Sequence, residues 1–138
     1  MKNYKILAEF VKDVSVETKD VQTYLFVKDY ITKYQLTIDI TSQPTKNKLI
    51  EVNTIMKFED KEDNEKKSYF ELVYVTIVKL DDNVKEKKEI EKILLCEVQK
   101  DIQPKLEKSF TDLIANSGFN NITVKNIDFD KLFNSRFN

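Results

Sequence analysis

The side chains that carry most enzyme chemistry are nearly absent from this sequence. Its 138 residues contain no histidine, one cysteine and one glycine. Without histidine there is no Ser-His or Cys-His nucleophile pair and no imidazole ligand set. The single thiol, Cys96, rules out zinc and iron–sulfur ligation by cysteine clusters, and it has no partner for an internal disulfide. A lone Gly118 cannot build the glycine-rich loop that cradles phosphates. Carboxylates remain. The densest group, Glu59-Asp60-Lys61-Glu62-Asp63-Asn64-Glu65-Lys66-Lys67, interleaves both signs and has the pattern of a solvated turn. On this reading the chain has no catalytic residue, no metal site and no cofactor.

Charge narrows the partners. Lys+Arg 23 against Asp+Glu 24 gives a formal net charge of -1, so neither a nucleic acid nor a membrane surface is the expected partner. Met1-Lys2-Asn3-Tyr4 lacks the apolar core of a signal peptide, and no apolar run is long enough to insert into a bilayer. A reduced, cytoplasmic protein is the simplest expectation. The length suits one domain over residues 1–138, and one Gly with two Pro argues against a linker.

The elements that position whatever function exists follow from periodicity. Lys5 to Thr18 alternates, with Ile6, Ala8, Phe10, Val14 and Val16 expected on one face and Glu9, Asp13, Ser15 and Glu17 on the other. Thr32 to Ser42 and Leu49 to Phe58 read as further strands, joined by the turn Gln43-Pro44-Thr45-Lys46-Asn47. Ser68 to Leu80 reads as a fourth strand. Its Phe70, Leu72, Tyr74 and Val78 face one way, and Tyr69, Val73, Val75 and Ile77 the other. A strand apolar on both faces needs cover on both. A long helix then carries Ile90, Ile93, Leu94, Val98, Ile102, Leu106, Phe110, Leu113 and Ile114 as one stripe. Pro104 is expected to kink it, and Gly118 to end it in the left-handed conformation. The tail apolars Ile127, Phe129, Leu132 and Phe133 read chiefly as packing.

Between the first two strands, Lys19 to Ile31 is too long for a hairpin turn. It gathers Tyr24, Leu25, Phe26, Val27 and Tyr30 into one apolar cluster, suited either to covering the core or to binding.

These residues bring the chain to a known family. Lys12-Asp13-Val14-Ser15-Val16-Glu17 resembles the first-strand motif of SecB, the bacterial protein-export chaperone. Gly118-Phe119 followed by Ile127-Asp128-Phe129-Asp130-Lys131-Leu132-Phe133 resembles that family's carboxy-terminal signature. Pro104 falls where the family has a proline in its long helix, and Phe70-Glu71-Leu72 where its fourth strand carries an acid between apolar residues. Gln103 and Glu107 depart from the family's aromatic and arginine, and Lys79 to Val84 replaces its glycine-rich loop.

The resemblance implies an α+β fold: a four-stranded antiparallel sheet, a long C-terminal helix and a short final helix. It implies an ATP-independent chaperone that holds unfolded client polypeptides, preproteins for Sec-dependent export, and that assembles as a homotetramer, a dimer of dimers. Tyr24, Leu25, Phe26, Val27 and Tyr30 are then the client-binding candidates. Asp13, Ser15, Glu17 and Glu71 match the positions that meet the translocase motor SecA, and Leu72 and Tyr74 are taken as the oligomer interface. Two alternatives stand beside this reading. One is a SecB-like chaperone dedicated to a single client such as an antitoxin. The other is a hotdog-like enzyme or small-ligand binder, against which the missing histidine, the scarce glycine and the order of helix and sheet all count.

Overall fold

Alternating apolar residues make strands, and the order in which the strands pair decides which of them need two covers. In the computed structural model, which describes residues 2–120 together with Ile122, Lys131 and Asn134, β1 (Tyr4–Thr18), β2 (Gln35–Pro44), β3 (Leu49–Glu59) and β4 (Ser68–Leu80) form one antiparallel sheet. Its order is β1-β4-β3-β2. β4 and β3 are therefore internal strands, and β1 is an edge. The expected α+β fold is borne out. The short final helix and the tail apolars Ile127, Phe129, Leu132 and Phe133 lie outside the described residues, apart from Lys131 and Asn134.

The segment after β1, too long for a hairpin turn, is a helix, α1 (Val21–Tyr30). Asp20 caps it, accepting from the Thr23 backbone N–H at 2.8 Å; the Thr23 hydroxyl first, and then that N–H, hold the Asp20 carboxyl below its usual range. Thr23 and Val27, one turn apart, are its buried residues, followed by Ile31 in the short 3₁₀ turn Ile31–Lys33. That turn uses the residues where an earlier start to β2 was expected.

The long helix runs over residues 87–116 in three windings: α2 (Lys87–Lys92), a π turn (Ile93–Glu97) and α3 (Val98–Asn116). Its apolar stripe advances mostly in steps of four, and each such step drifts about 40° around a regular α-helix. The wider π turn, in which the Val98 N–H donates to the Ile93 carbonyl, takes up part of that drift and keeps Ile93, Leu94, Val98 and Ile102 on the sheet. Pro104 sits inside α3 without ending it, so the irregular winding lies upstream of the proline. Gly118 closes the helix at φ 97, with the Phe119 N–H donating to the Ile114 carbonyl at 3.1 Å.

The helix covers one sheet face, and the core beneath it has two apolar clusters. One gathers Phe58, Phe70, Phe110 and Phe119; the other gathers Val52, Val78, Ile93 and Val98. A buried polar belt lies between them: Thr54 on β3, Thr76 on β4 and Gln99 on α3. Thr54 donates to Gln99 Oε1 at 2.9 Å, and Gln99 Nε2 donates to the Leu94 carbonyl at 3.3 Å. Thr76 Oγ1 is buried without a hydrogen-bond partner among the described residues. Thr76→Val keeps the shape and removes the unmet hydroxyl, so it should stabilise the fold by about 1 kcal/mol. Urea unfolding checks this; a lower midpoint would show that the hydroxyl is solvated or bonded.

β1 corrects the sequence reading. Its pairing with β4 slips by one residue at Leu7 and again at Lys12. Each extra residue reverses the alternation that follows it. The five apolar residues expected on one face are therefore divided. Ile6, Val14 and Val16 stand opposite Val78, Leu72 and Phe70 on the helix side, whereas Ala8 and Phe10 stand opposite Ile77 and Val75 on the open side. Glu9, expected with Asp13, lies instead under the helix, where Lys105 reaches its Oε2 at 3.2 Å. The Tyr74 hydroxyl donates to its Oε1 at 2.8 Å. Burial first, and then Glu9, raise the Tyr74 phenol well above its ordinary pKa.

Candidate functional site

Among the described residues no group of His, Cys, Asp or Glu is arranged to hold a metal ion, and no helix is long and apolar enough to cross a membrane. Large exposed apolar side chains are the informative feature of a folded protein's exterior, because burying them is the main favourable term in association. Here they are concentrated. Leu7, Phe10, Val11, Val14 and Val16 line β1, and Val21, Leu25 and Phe26 lie on α1; Tyr69 is the other one among the described residues.

α1 is held so that part of its surface faces outward. Thr23 and Val27 anchor it, and Tyr24 clamps it to the end of α3. The Tyr24 hydroxyl donates to the Gly118 carbonyl at 2.8 Å, and its ring lies 5.1 Å from that of Phe119. A Cβ on Gly118 would stand 2.8 Å from the Tyr24 ring, so this clamp needs glycine for space as well as for φ. Of the five client-binding candidates, Leu25 (56% exposed) and Phe26 (38%) are open, while Tyr24 and Tyr30 are half-buried. The Phe26 ring stacks on Tyr30 at 5.5 Å, and the Lys33 ammonium sits 5.1 Å from the Tyr30 ring centre. Val27 is a correction. It is fully buried against the core and does not line a surface. Val21, at 66% exposed, was missed; only the helical start at Asp20 identifies it as part of this surface.

The structure brings Asp13, Ser15, Glu17 and Glu71 together. Ser15 pairs directly with Glu71, while Asp13 and Glu17 flank Ser15 on the same side of β1, opposite Val73 and Tyr69. All four stand on the open face of the sheet, away from the helix. The Ser15 hydroxyl donates to Asp13 Oδ2 at 3.1 Å, and Lys57 Nζ lies 3.6 Å from Glu71 Oε1.

Leu72 and Tyr74 are the second correction. Both lie in the core cluster with Ile102, Leu106 and Phe110, at 1% and 5% exposure. They pack beneath the chain's own helix, so no second subunit is needed to cover them. The other face of β4 carries Val73, Val75 and Ile77.

The family model for preprotein translocase subunit SecB matches residues 1–138. A protein of Pelagibacter ubique (strain HTCC1062), described as putative protein-export protein SecB, is 50% identical over 137 residues, which is 99% of this chain and 98% of that one. The chain belongs to the SecB family. SecB proteins are chaperones of protein export, so the chain is placed in a chaperone family, and the hotdog-like alternative is not favoured. A solved structure supports the SecB fold. The Mycobacterium tuberculosis SecB-like chaperone, in complex with a ChAD peptide from the HigA1 antitoxin, matches with a TM-score of 0.65 over 91% of each chain at 7% identity. At that identity the likeness speaks for the fold alone.

Proposed function

We propose that this SecB-family chain holds unfolded preproteins without ATP, that it does so as a cytoplasmic homotetramer, and that it passes its clients to SecA. The observation that carries the holding step is the concentration of exposed apolar side chains on α1 and β1. An extended client chain laid against Val21, Leu25, Phe26 and the flank of Tyr30 gains roughly 25 cal/mol for each Å² of apolar surface buried, before entropic losses. That is weak for a single site. Several copies on one oligomer convert weak contacts into firm retention through effective concentration.

Assembly is assigned to β1. It is a 15-residue edge strand, with no strand on its outer side among the described residues and apolar side chains exposed on both faces. Such an edge is a template for another strand, and a second copy of β1 satisfies it symmetrically. Two such dimers make the tetramer. Docking to SecA is assigned to Asp13, Ser15, Glu17 and Glu71 on the open face, where negative charge suits a basic, zinc-bearing tail. Surface charges of this kind govern association rate and salt sensitivity more than tightness.

The test joins two measurements on the same preparation. Native mass spectrometry should give four times the 16.3 kDa chain mass. At that concentration the protein should suppress aggregation of a chemically unfolded preprotein, with no change on adding ATP. A monomer that leaves aggregation unaffected sinks the holding mechanism. A tetramer that holds clients but ignores the SecA tail at low salt would favour a chaperone uncoupled from export.

A further inference from the structure

The row of open-face residues through Glu71 continues past the docking positions. Ser15 pairs with Glu71, Glu71 with Lys57, and Lys57 with Thr37, so one line crosses all four strands. A concavity of about 340 Å³ opens along it, lined by Thr37, Ile38, Asp39, Ile55, Lys57, Glu59 and Glu71. Its walls hold three carboxylates and one amine. The amine is Lys57, whose Nζ lies 3.6 Å from Glu71 Oε1. The Glu71 side chain is 21% exposed, the Lys57 side chain 45%.

Resting on the SecA-docking reading above, we propose that Lys57 is a built-in competitor for the partner's cationic group at Glu71. With Lys57 in place, Glu71 already has a positive charge within ion-pair distance. An incoming lysine or arginine must displace that ammonium or dock beside it against like-charge repulsion. The displaced amine stays tethered and exposed, so it swings to water at small cost, and an exposed pair of this kind contributes little to the fold. Lys57 therefore sets how tightly a basic peptide is held while leaving the docking surface open. Weak, reversible docking is what a handover requires, because a chaperone that binds its motor tightly does not cycle.

The position of Lys57 makes this specific. It is on β3, one strand further from the β1 motif than Glu71, and it is outside the set of residues that the family resemblance marks. Glu59, two residues along the same strand with its Oε2 3.6 Å from Lys61 Nζ, and Asp39, on β2 beside Ile55, complete the acidic lining. Lys57→Gln removes the one amine of that lining and leaves its three carboxylates in place.

Isothermal titration of the full-length tetramer with the basic zinc-loaded SecA tail peptide tests the proposal. Parent, Lys57→Gln, Glu71→Gln and the double variant are compared at low and high salt. Lys57→Gln should tighten binding about threefold to tenfold at low salt, the gain shrinking as salt rises. Glu71→Gln should weaken binding. In the double variant most of the gain should vanish, because the competitor acts through Glu71. Thermal melts of all four proteins should coincide. Equal or weaker binding by Lys57→Gln, with a parent that binds in a salt-sensitive way, overturns the competitor role and leaves docking intact. A parent that does not bind at any salt overturns the docking reading, and this one with it.

Discussion

Leu72→Lys is expected to leave no folded protomer. Leu72 is 1% exposed beneath α3, in contact range of the cluster containing Ile102, Leu106 and Phe110. The substitution forfeits about 1.5–3 kcal/mol of apolar burial. It also places an ammonium among the apolar side chains of that cluster, which costs several kcal/mol more. Together these rival the whole stability of a domain, about 5–15 kcal/mol. Far-UV circular dichroism with a urea titration should show an unfolded chain or a midpoint near zero. Val73→Lys, one residue along and on the open face, is the control and should fold. A Leu72→Lys protein that melts cooperatively and merely loses mass would put this side chain at a subunit interface after all.

The second large effect concerns α1. Val21→Ser, Leu25→Ser and Phe26→Ser combined should cut client holding at least about tenfold, since each loses part of the roughly 1.5–3 kcal/mol that burying such a side chain is worth. The loss repeats at every copy in the oligomer. Thermal stability should fall only modestly, because Val21 and Leu25 are mostly exposed and Phe26 gives up chiefly its stack on Tyr30. Light scattering of an aggregating preprotein, titrated with parent and variant, reads the loss directly. Val27→Ser makes the opposite case. It opens a cavity and buries a hydroxyl in the core, and should destabilise the fold by about 1–3 kcal/mol. A triple variant that melts far below the parent would show that this face of α1 is core.

The parts of the fold visible in the sequence were those with one clear period. Leu36, Ile38 and Ile40 announce β2, and the stripe from Ile90 to Ile114 announces the long helix. The face of β4 was half visible. Alternation separated Phe70, Leu72 and Tyr74 from Tyr69, Val73 and Val75, but alternation alone does not say which set the helix covers. Glu71 and Lys79 settle the matter. They share the second set, and a sheet face that carries both charges is the one the helix leaves uncovered. The helix α1 was hidden for a different reason. Val21, Tyr24, Leu25, Phe26, Val27 and Tyr30 are apolar in nearly every direction, so no single period stands out, and the decisive residue is the polar Asp20 before them. The shared face of Asp13, Ser15 and Glu17 was legible because all three follow the last irregularity in β1, where strict alternation holds.

The two slipped residues of β1 also bear on how this chain tolerates insertions and deletions. Lys12 has no partner on β4, so removing it joins Val11 to Asp13, leaves Val11 opposite Tyr74 and Asp13 opposite Val73, and changes no face upstream or downstream. The same holds for Leu7, which lies between Ile6 opposite Val78 and Ala8 opposite Ile77. Removing a paired residue such as Phe10 is different: it brings Glu9 to the open face opposite Val75 and Ala8 beneath the helix opposite Thr76, until the spare residue at Leu7 takes up the shift. Single-residue gaps should therefore be tolerated at the two extra positions and purged at the paired ones. An alignment that puts the gap at a paired position would misassign which side chains face the helix.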